Sequence, residues 1–275
     1  MKRFHLIIVT LALLFTACKR KELSTLEPPP QAVRNVAQIT EGDYCAKYAY
    51  NSEGLLASID EIVNDTKTTS YIFKFTPIIH IGEVSNPTGN SQDSASTSEL
   101  EFTKEGYLKR EVAKKVENNA TLRSVAYTYD DKGHLTQIVQ NENDRKYTRQ
   151  IEWSEGNVAR IKNEYFFKTV KHSFYEDITY SYNDEEVKPT NHNPQLFLGD
   201  KMPIYPTAWY GTPSKNHISS MHTIQYSYHI DDSITSTEST FNIEYEYDSK
   251  GYPTAIMVHN ISDNTTSTKK IEYAN

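Results

Sequence analysis

From Asp43 onward, apolar and polar side chains alternate with a period of two. The segments "ITYSY" (Ile178, Tyr180, Tyr182), "IQYSY" (Ile224, Tyr226, Tyr228) and "IEYEY" (Ile243, Tyr245, Tyr247) each set an aliphatic residue and two tyrosines on one face. Thr, Ser, Gln and Glu fill the other. Successive strand side chains point to opposite sides, so this alternation marks strands buried on one face, and β-branched and aromatic residues favour such positions. Helical periodicity is absent outside the N-terminal leader. The pattern predicts an all-β fold of half-buried antiparallel strands.

Self-comparison shows what separates the strands. "YAYNSEGLLASI" (48–59), "LEFTKEGYLKREV" (100–112), "YTYDDKGHLTQI" (127–138) and "YEYDSKGYPTAI" (245–256) share one frame: an aromatic residue, three polar residues, Gly, then a new strand. Gly54, Gly106, Gly133 and Gly251 hold the glycine position, and Gly156 in "IEWSEGNVARI" (151–161) is a shorter relative. Glycine there supplies the positive φ that reverses a short hairpin loop. Asn51, Asp130 and Asp248 open their turns, where a short polar side chain bonds the backbone. These acidic residues therefore read as turn formers; a calcium site needs more oxygen ligands than one such loop offers.

The N-terminus, "MKRFHLIIVTLALLFTAC", has basic Lys2 and Arg3, an apolar run from Leu6 to Phe15, and small residues before Cys18. This is the layout of a secretory signal, too short for a good membrane span. A cysteine at that point resembles the lipobox of bacterial lipoproteins, which implies cleavage after residue 17 and acylation of Cys18, with palmitate-type chains as the anchor. Phe15 departs from the Leu usual in a lipobox. Residues 18–42 then read as a lipidated, proline-containing tether through Pro28-Pro29-Pro30, and residues 43–275 as the folded part, long enough for one all-β domain or two small ones. The expected location is the envelope of a Gram-negative bacterium, lipid-anchored and on the outer membrane.

Removing the leader leaves 27 basic and 36 acidic residues, a net charge of −9. Such a balance argues against nucleic acid, which needs a basic surface. With Cys18 acylated only Cys45 remains, so neither an internal disulfide nor a cysteine zinc site is expected.

Residues 188–222 interrupt the hairpins with five of the eleven prolines and with Trp209, one of two tryptophans. Long irregular loops in compact domains tend to carry function. Trp209, Tyr205, Tyr210 and Phe197, with Asn191, Asn193 and Asn216, have the composition of a carbohydrate platform: flat rings for sugar faces and amides for hydroxyls. The same Trp209 would equally serve as a plug capping one end of a barrel. His192, His217 and His222 lie in or beside this loop without a metal-binding spacing. Nucleophile elbows, phosphate loops and dinucleotide fingerprints are absent, so no enzyme, cofactor or metal is expected. "DSA" (93–95) and "DSI" (232–234) resemble bacterial O-glycosylation acceptors, with Ser94 and Ser233 as the modified residues.

The Tyr-x-Tyr-Asp-x-x-Gly-x-Leu frame is similar to the YD repeats of large secreted shell-forming proteins. Together with "YGTPSKNHI" (210–218), the turns around Gly54, Gly106, Gly133 and Gly251 more closely resemble a family of bacterial lipoproteins, a domain of unknown function with a porin-like fold, over about residues 43–275. The resemblance implies a single curved antiparallel sheet closing toward a barrel and brings no activity to carry over. Thr, Glu, Gln and Lys opposite the Ile/Tyr stripe predict a water-soluble barrel with its apolar side inward, since a membrane barrel turns an apolar band outward. The functions this leaves are a glycan or envelope-component binder acting through the long loop or an open barrel end, an assembly subunit contacting a protein partner, or a carrier of an apolar ligand.

Overall fold

A computed structural model describes residues 34–75, 79–85, 95–167, 173–190, 207–229 and 233–274. The described strands are β1 (Val36–Glu41), β2 (Tyr44–Tyr50), β3 (Leu56–Val63), β4 (Thr66–Phe75), β5 (Ile79–Ser85), β6 (Ala95–Phe102), β7 (Leu108–Lys115) and β8 (Thr121–Tyr129), followed by β9 (Leu135–Glu142), β10 (Arg145–Ser154), β11 (Asn157–Phe167), β12 (Ser173–Glu186), β13 (Asn216–Tyr228), β14 (Ile234–Tyr247), β15 (Pro253–Asn260) and β16 (Thr265–Tyr273). A 3-10 turn, Thr207–Tyr210, lies between β12 and β13. Each strand pairs antiparallel with its sequence neighbours, and β1 pairs with both β2 and β16, so the sheet closes into a barrel. Closure removes the sheet edges that a flat array would expose.

The tether boundary placed at residue 42 moves toward the N-terminus. Val36–Glu41 is a barrel strand, and Arg34 already touches Thr190 through a parallel bridge. Val36 and Ile39 are both fully buried although three residues apart, because the register slips between Val36 and Gln38. A strict period of two cannot find such a strand.

The same slip recurs around the barrel. The register shifts immediately before Tyr50, Phe102, Tyr129, Trp153, Tyr182 and Tyr247, so a β-bulge belongs to the repeat. A bulge turns two consecutive residues against one and increases local twist. It explains why Leu56 and Ile59, Leu135 and Ile138, and Val158 and Ile161 all point inward at a spacing of three.

Chain order divides the loops into two sets. The glycine turns at 51–54, 103–106, 130–133, 155–156 and 248–251 all lie at one end, here called the turn end, with the long β12–β13 connection. The β1–β2, β3–β4, β7–β8, β9–β10, β13–β14 and β15–β16 loops lie at the opposite, far end.

Aromatic residues bind the turn end together. Tyr50, Tyr129, Tyr182, Tyr245 and Tyr273 donate their hydroxyls, and Trp153 its indole N–H, to the backbone carbonyls of Val36, Leu108, Val158, Ile218, Pro253 and Leu135 at 2.7–2.9 Å. Each acceptor is in the first three residues of the neighbouring strand that precedes the donor's own. Each of these rings thus satisfies a backbone carbonyl at the start of the neighbouring strand.

Outward positions mix charged side chains with apolar ones such as Ile72, Phe166, Ile224 and Tyr226. The "IQYSY" stripe expected on the inner face points out, because β13 sets Thr223 and Gln225 against inward Ile178 and Glu176. Ion pairs cross neighbouring strands at Lys109–Glu101 (2.6 Å), Lys114–Glu99 (2.8 Å), Lys162–Glu152 (2.7 Å) and Lys67–Asp60 (2.7 Å), and Arg160 pairs with Asp177. Hydrogen bonding to Arg160 holds the Asp177 carboxyl below its ordinary range. These ion pairs interrupt any continuous outward apolar band of the kind a hydrocarbon layer requires, about 25 Å tall.

Candidate functional site in the barrel interior

The barrel interior has two chemically distinct halves. At the turn end it is apolar and buried. Ile39, Leu56, Ile59, Leu108, Leu135, Ile161, Ile243, Ile256 and Ile271 are buried there with the 3-10 turn, whose Trp209 is 3% exposed. Phe102 occupies the belt position of β6 without a hydroxyl, and its ring meets Trp209 edge-on at 5.0 Å. Tyr210 packs against Tyr127 at 6.0 Å, and burial pushes both phenols well above their ordinary range.

"YGTPSKNHI" is the clasp that holds this plug. Thr212 donates its backbone N–H to the Gly133 carbonyl (2.9 Å), Lys215 donates to Gly156 (3.0 Å), and Val187 donates to Lys215 (2.8 Å). Asn157 and Asn216 exchange two bonds, with Asn216 N–H donating to Asn157 Oδ1 (2.9 Å) and Asn157 Nδ2 to Asn216 Oδ1 (3.1 Å). Gly211, at φ +87°, permits the crossing: a Cβ there would lie 2.2 Å from the Gly133 oxygen.

These positions decide the loop candidates. Trp209 and Tyr210 are core residues capping the turn end, so their rings offer no exposed face to a sugar; a bulky aromatic is the cheapest way to fill a wide barrel end. Asn216 is engaged in the clasp. Tyr205, Phe197, Asn191, Asn193, Ser94, His192 and Cys18 lie outside the described residues. Ser233 is exposed at the tip of the β13–β14 hairpin.

Toward the far end the inward rows change character. On β7 the row runs from Leu108 (fully buried) through Glu111 (2% exposed) to exposed Lys115, and on β14 from buried Ile243 to exposed Thr237 and Thr235. Glu111 accepts from Ser98 Oγ (3.0 Å) and Arg123 Nη2 (2.6 Å), the pairing a buried carboxylate requires. Across β2–β4, Glu61 accepts from Tyr44 (2.9 Å) and Tyr71 (3.4 Å); burial first, and the Glu61 charge second, push the Tyr44 phenol up.

On β10–β13 the inward side chains form one chain of bonds. Tyr147 Oη (2.9 Å) and Arg149 Nε (2.8 Å) both donate to Asn163 Oδ1, and Asn163 Nδ2 donates to Glu176 Oε2 (2.7 Å). Gln225 Nε2 donates to Glu176 Oε1 (2.8 Å) from its exposed position. Beside this layer run the rings of Tyr147, Tyr165 and Phe174, at 4.6 and 5.4 Å centroid spacing. Asn163 is fully buried, Tyr165 and Phe174 are half-buried, and Gln225 is exposed, so exposure rises along this wall toward the far end. Rings for apolar faces stand here next to an amide and a carboxylate for hydroxyls. The single-face alternation of "ITYSY" placed Ile178 inward, but nothing local announced that Glu176, two residues earlier on the same face, would meet Asn163 and Gln225.

The turns behave as turn formers. Asn51, Asp130 and Asp248 each accept two backbone N–H groups through Oδ1 at 2.8–3.0 Å. Asp130 also meets His134 Nδ1 at 3.0 Å, and His134 stacks on Trp153 at 4.3 Å. Partial burial would raise the Asp130 carboxyl, yet these bonds outweigh it and hold the group below its usual range. Gly54, Gly106, Gly133, Gly156 and Gly251 all have positive φ. His217 is buried beside the rings of Tyr245 (4.8 Å) and Tyr247 (5.5 Å), whereas His222 points outward to Glu238 at 2.6 Å, so the two do not converge. Among the described residues no group of three His, Cys, Asp or Glu side chains is placed to hold a metal. Cys45, on β2, is a free thiol.

No protein-family model matches the chain, and no curated protein matches it. Solved structures do. A porin-like protein from Bacteroides vulgatus superposes with a TM-score of 0.60 at 13% identity, covering 88% of this chain and 99% of that one. A porin-like protein from Bacteroides uniformis superposes with a TM-score of 0.56 at 18% identity, covering 86% and 94%. At these identities the likeness is one of fold.

Proposed function

We propose that the chain is a non-enzymatic, lipid-anchored envelope protein whose barrel accepts a carbohydrate-type ligand through its open far end. The observation that carries this reading is the two-part interior: one end sealed by Trp209 and the aromatic belt, the other lined by Tyr147, Asn163, Tyr165, Glu176 and Gln225 around a mouth. Ligand sites typically combine apolar and aromatic walls with a few convergent polar groups, and this wall has that make-up. The envelope assignment rests on the leader and Cys18, and the porin-like fold of the Bacteroides structures agrees with it. Aliphatic residues that an apolar-ligand carrier would need around a cavity are instead packed at the sealed end.

A second reading, an assembly subunit contacting protein, is favoured by Val63, Val116, Phe166, Tyr228, Ile234 and Ile261, large apolar residues 37–58% exposed near the far end. A glycan array probed with the mature protein and its Tyr165→Ala and Gln225→Ala variants separates the two. Glycan binding weakened about tenfold in each variant, equivalent to about 1.4 kcal/mol, supports the lumen site. A folded wild-type protein that retains no glycan removes it.

A further inference from the structure

The wall of the barrel has a step. β14 pairs with β15 only from Phe241 to Tyr247, and β15 leaves its lane after Asn260. Residues Ile234 to Ser239 continue the β13–β14 hairpin past this point, paired to β13 along their full length but with no described strand on the other side. Their sequence, Ile-Thr-Ser-Thr-Glu-Ser, has high strand propensity and carries none of the Pro, Lys or bulge devices that blunt an edge. Its only charge, Glu238, is engaged on the outer face with His222 at 2.6 Å.

Two hydrogen bonds fix which backbone groups face the empty lane. Ile261 donates to the Thr240 carbonyl on the β15 side, and His229 donates to the Ser233 carbonyl on the β13 side. Backbone groups alternate sides along a strand, so the even residues Ile234, Ser236 and Glu238 present N–H and C=O to the vacant lane, while Thr235, Thr237 and Ser239 are paired to β13.

We propose that this overhang is a dimerisation element, and that its occupant is the same hairpin of a second copy, paired antiparallel about a two-fold axis through Ser236. In that register Ile234 faces Glu238 of the second copy, Ser236 faces its own counterpart, and Thr235 lies opposite Thr237. All three edge-facing residues are then paired and no like charges are opposed. The step is as long as the hairpin that creates it, so each hairpin fills the notch beside the other. A two-fold interface of this kind is self-complementary by construction.

Disulfide trapping tests the register directly. Facing residues of a hydrogen-bonded antiparallel pair have Cα atoms about 5.5 Å apart, inside the range a disulfide spans. Full-length protein in detergent, with Cys45→Ser, would carry either Ser236→Cys or, as a control exposed at the same end, Thr266→Cys. The expected result is at least tenfold more oxidised homodimer for Ser236→Cys, lost again when Glu238→Pro is added. That proline removes an edge N–H without touching the β13–β14 ladder. Sedimentation of the unoxidised protein gives an independent reading: wild type self-associates with rising concentration, and Ser236→Lys, which places two ammonium groups on the axis, stays monomeric. Equal trapping at both cysteines, no trapping at Ser236, or wild type and Ser236→Lys that sediment alike would overturn the proposal.

Discussion

Replacing Gly211 with alanine isolates the clasp that seals the barrel, provided Gly106→Ala is made beside it. The two glycines have nearly the same φ, +87° and +88°, so alanine meets the same backbone penalty at each, about 1–2 kcal/mol. Their surroundings differ. Nothing lies within 4 Å of a Cβ at Gly106, whereas one at Gly211 would meet the Gly133 carbonyl oxygen at 2.2 Å and the Tyr129 ring at 3.0 Å. Backbone does not yield like the tip of a flexible side chain, so the loop must lift. Lifting breaks the 2.9 Å bond from Thr212 to Gly133, worth about 1 kcal/mol. It also partly withdraws Trp209 and Tyr210, where full removal of a buried large aromatic costs about 3–5 kcal/mol. The expected destabilisation is therefore about 4–6 kcal/mol for Gly211→Ala against about 1–2 for Gly106→Ala. Urea unfolding followed by tryptophan fluorescence and far-UV circular dichroism measures both. Midpoints that place the two variants within about 1 kcal/mol of each other would refute the argument that the clasp is held by close backbone contact.

Three further outcomes are expected. Burial lowers the His217 pKa, so the unfolded chain takes up its proton first as pH falls through the ordinary histidine value of 6.5. Stability should then decline on acidification below that pH and flatten in His217→Gln, while the lowered carboxylates Asp60, Asp130, Asp177 and Asp248 act in a separate window below their ordinary value of 3.8. Thermal and urea melts between pH 4.5 and 7.5 read the difference. Tyr129→Phe removes the donor to both Leu108 (2.8 Å) and Trp209 (3.2 Å), so it should destabilise by about 1–2 kcal/mol, more than Tyr245→Phe, which loses one acceptor; paired urea curves compare them. Finally, the intact mass of the native mature protein should show acyl chains on Cys18, and Cys18→Ser should leave the membrane fraction. The same spectrum reports hexose-type increments at Ser94 or Ser233.

Much of the fold is a local matter. Alternation marked "ITYSY", "IQYSY" and "IEYEY" as strands, with the Ile/Tyr face inward in the first and third but outward in "IQYSY", where the register sets Thr223 against inward Ile178. Glycine at a fixed distance from an aromatic marked the turns because only that backbone reverses so tightly. The aromatic at that spacing is explained only across strands, since Tyr129 bonds Leu108 on β7 and Tyr245 bonds Ile218 on β13. Reading the period as strictly two is what hid β1, since the bulge spaces Val36 and Ile39 by three. Tertiary structure decided everything that depends on which strands face one another across the closed sheet. Trp209 could be platform or plug by sequence alone; only the fold buries it at the turn end against Phe102, which has no hydroxyl. Asn163, Glu176 and Gln225 sit on different strands, 13 residues apart in the first case and 49 in the second, and only lateral register brings them together. The overhang of β14 exists because β15 ends early beside it. Sequence determines these features only through closure, a property of the whole ring of strands and of no single segment.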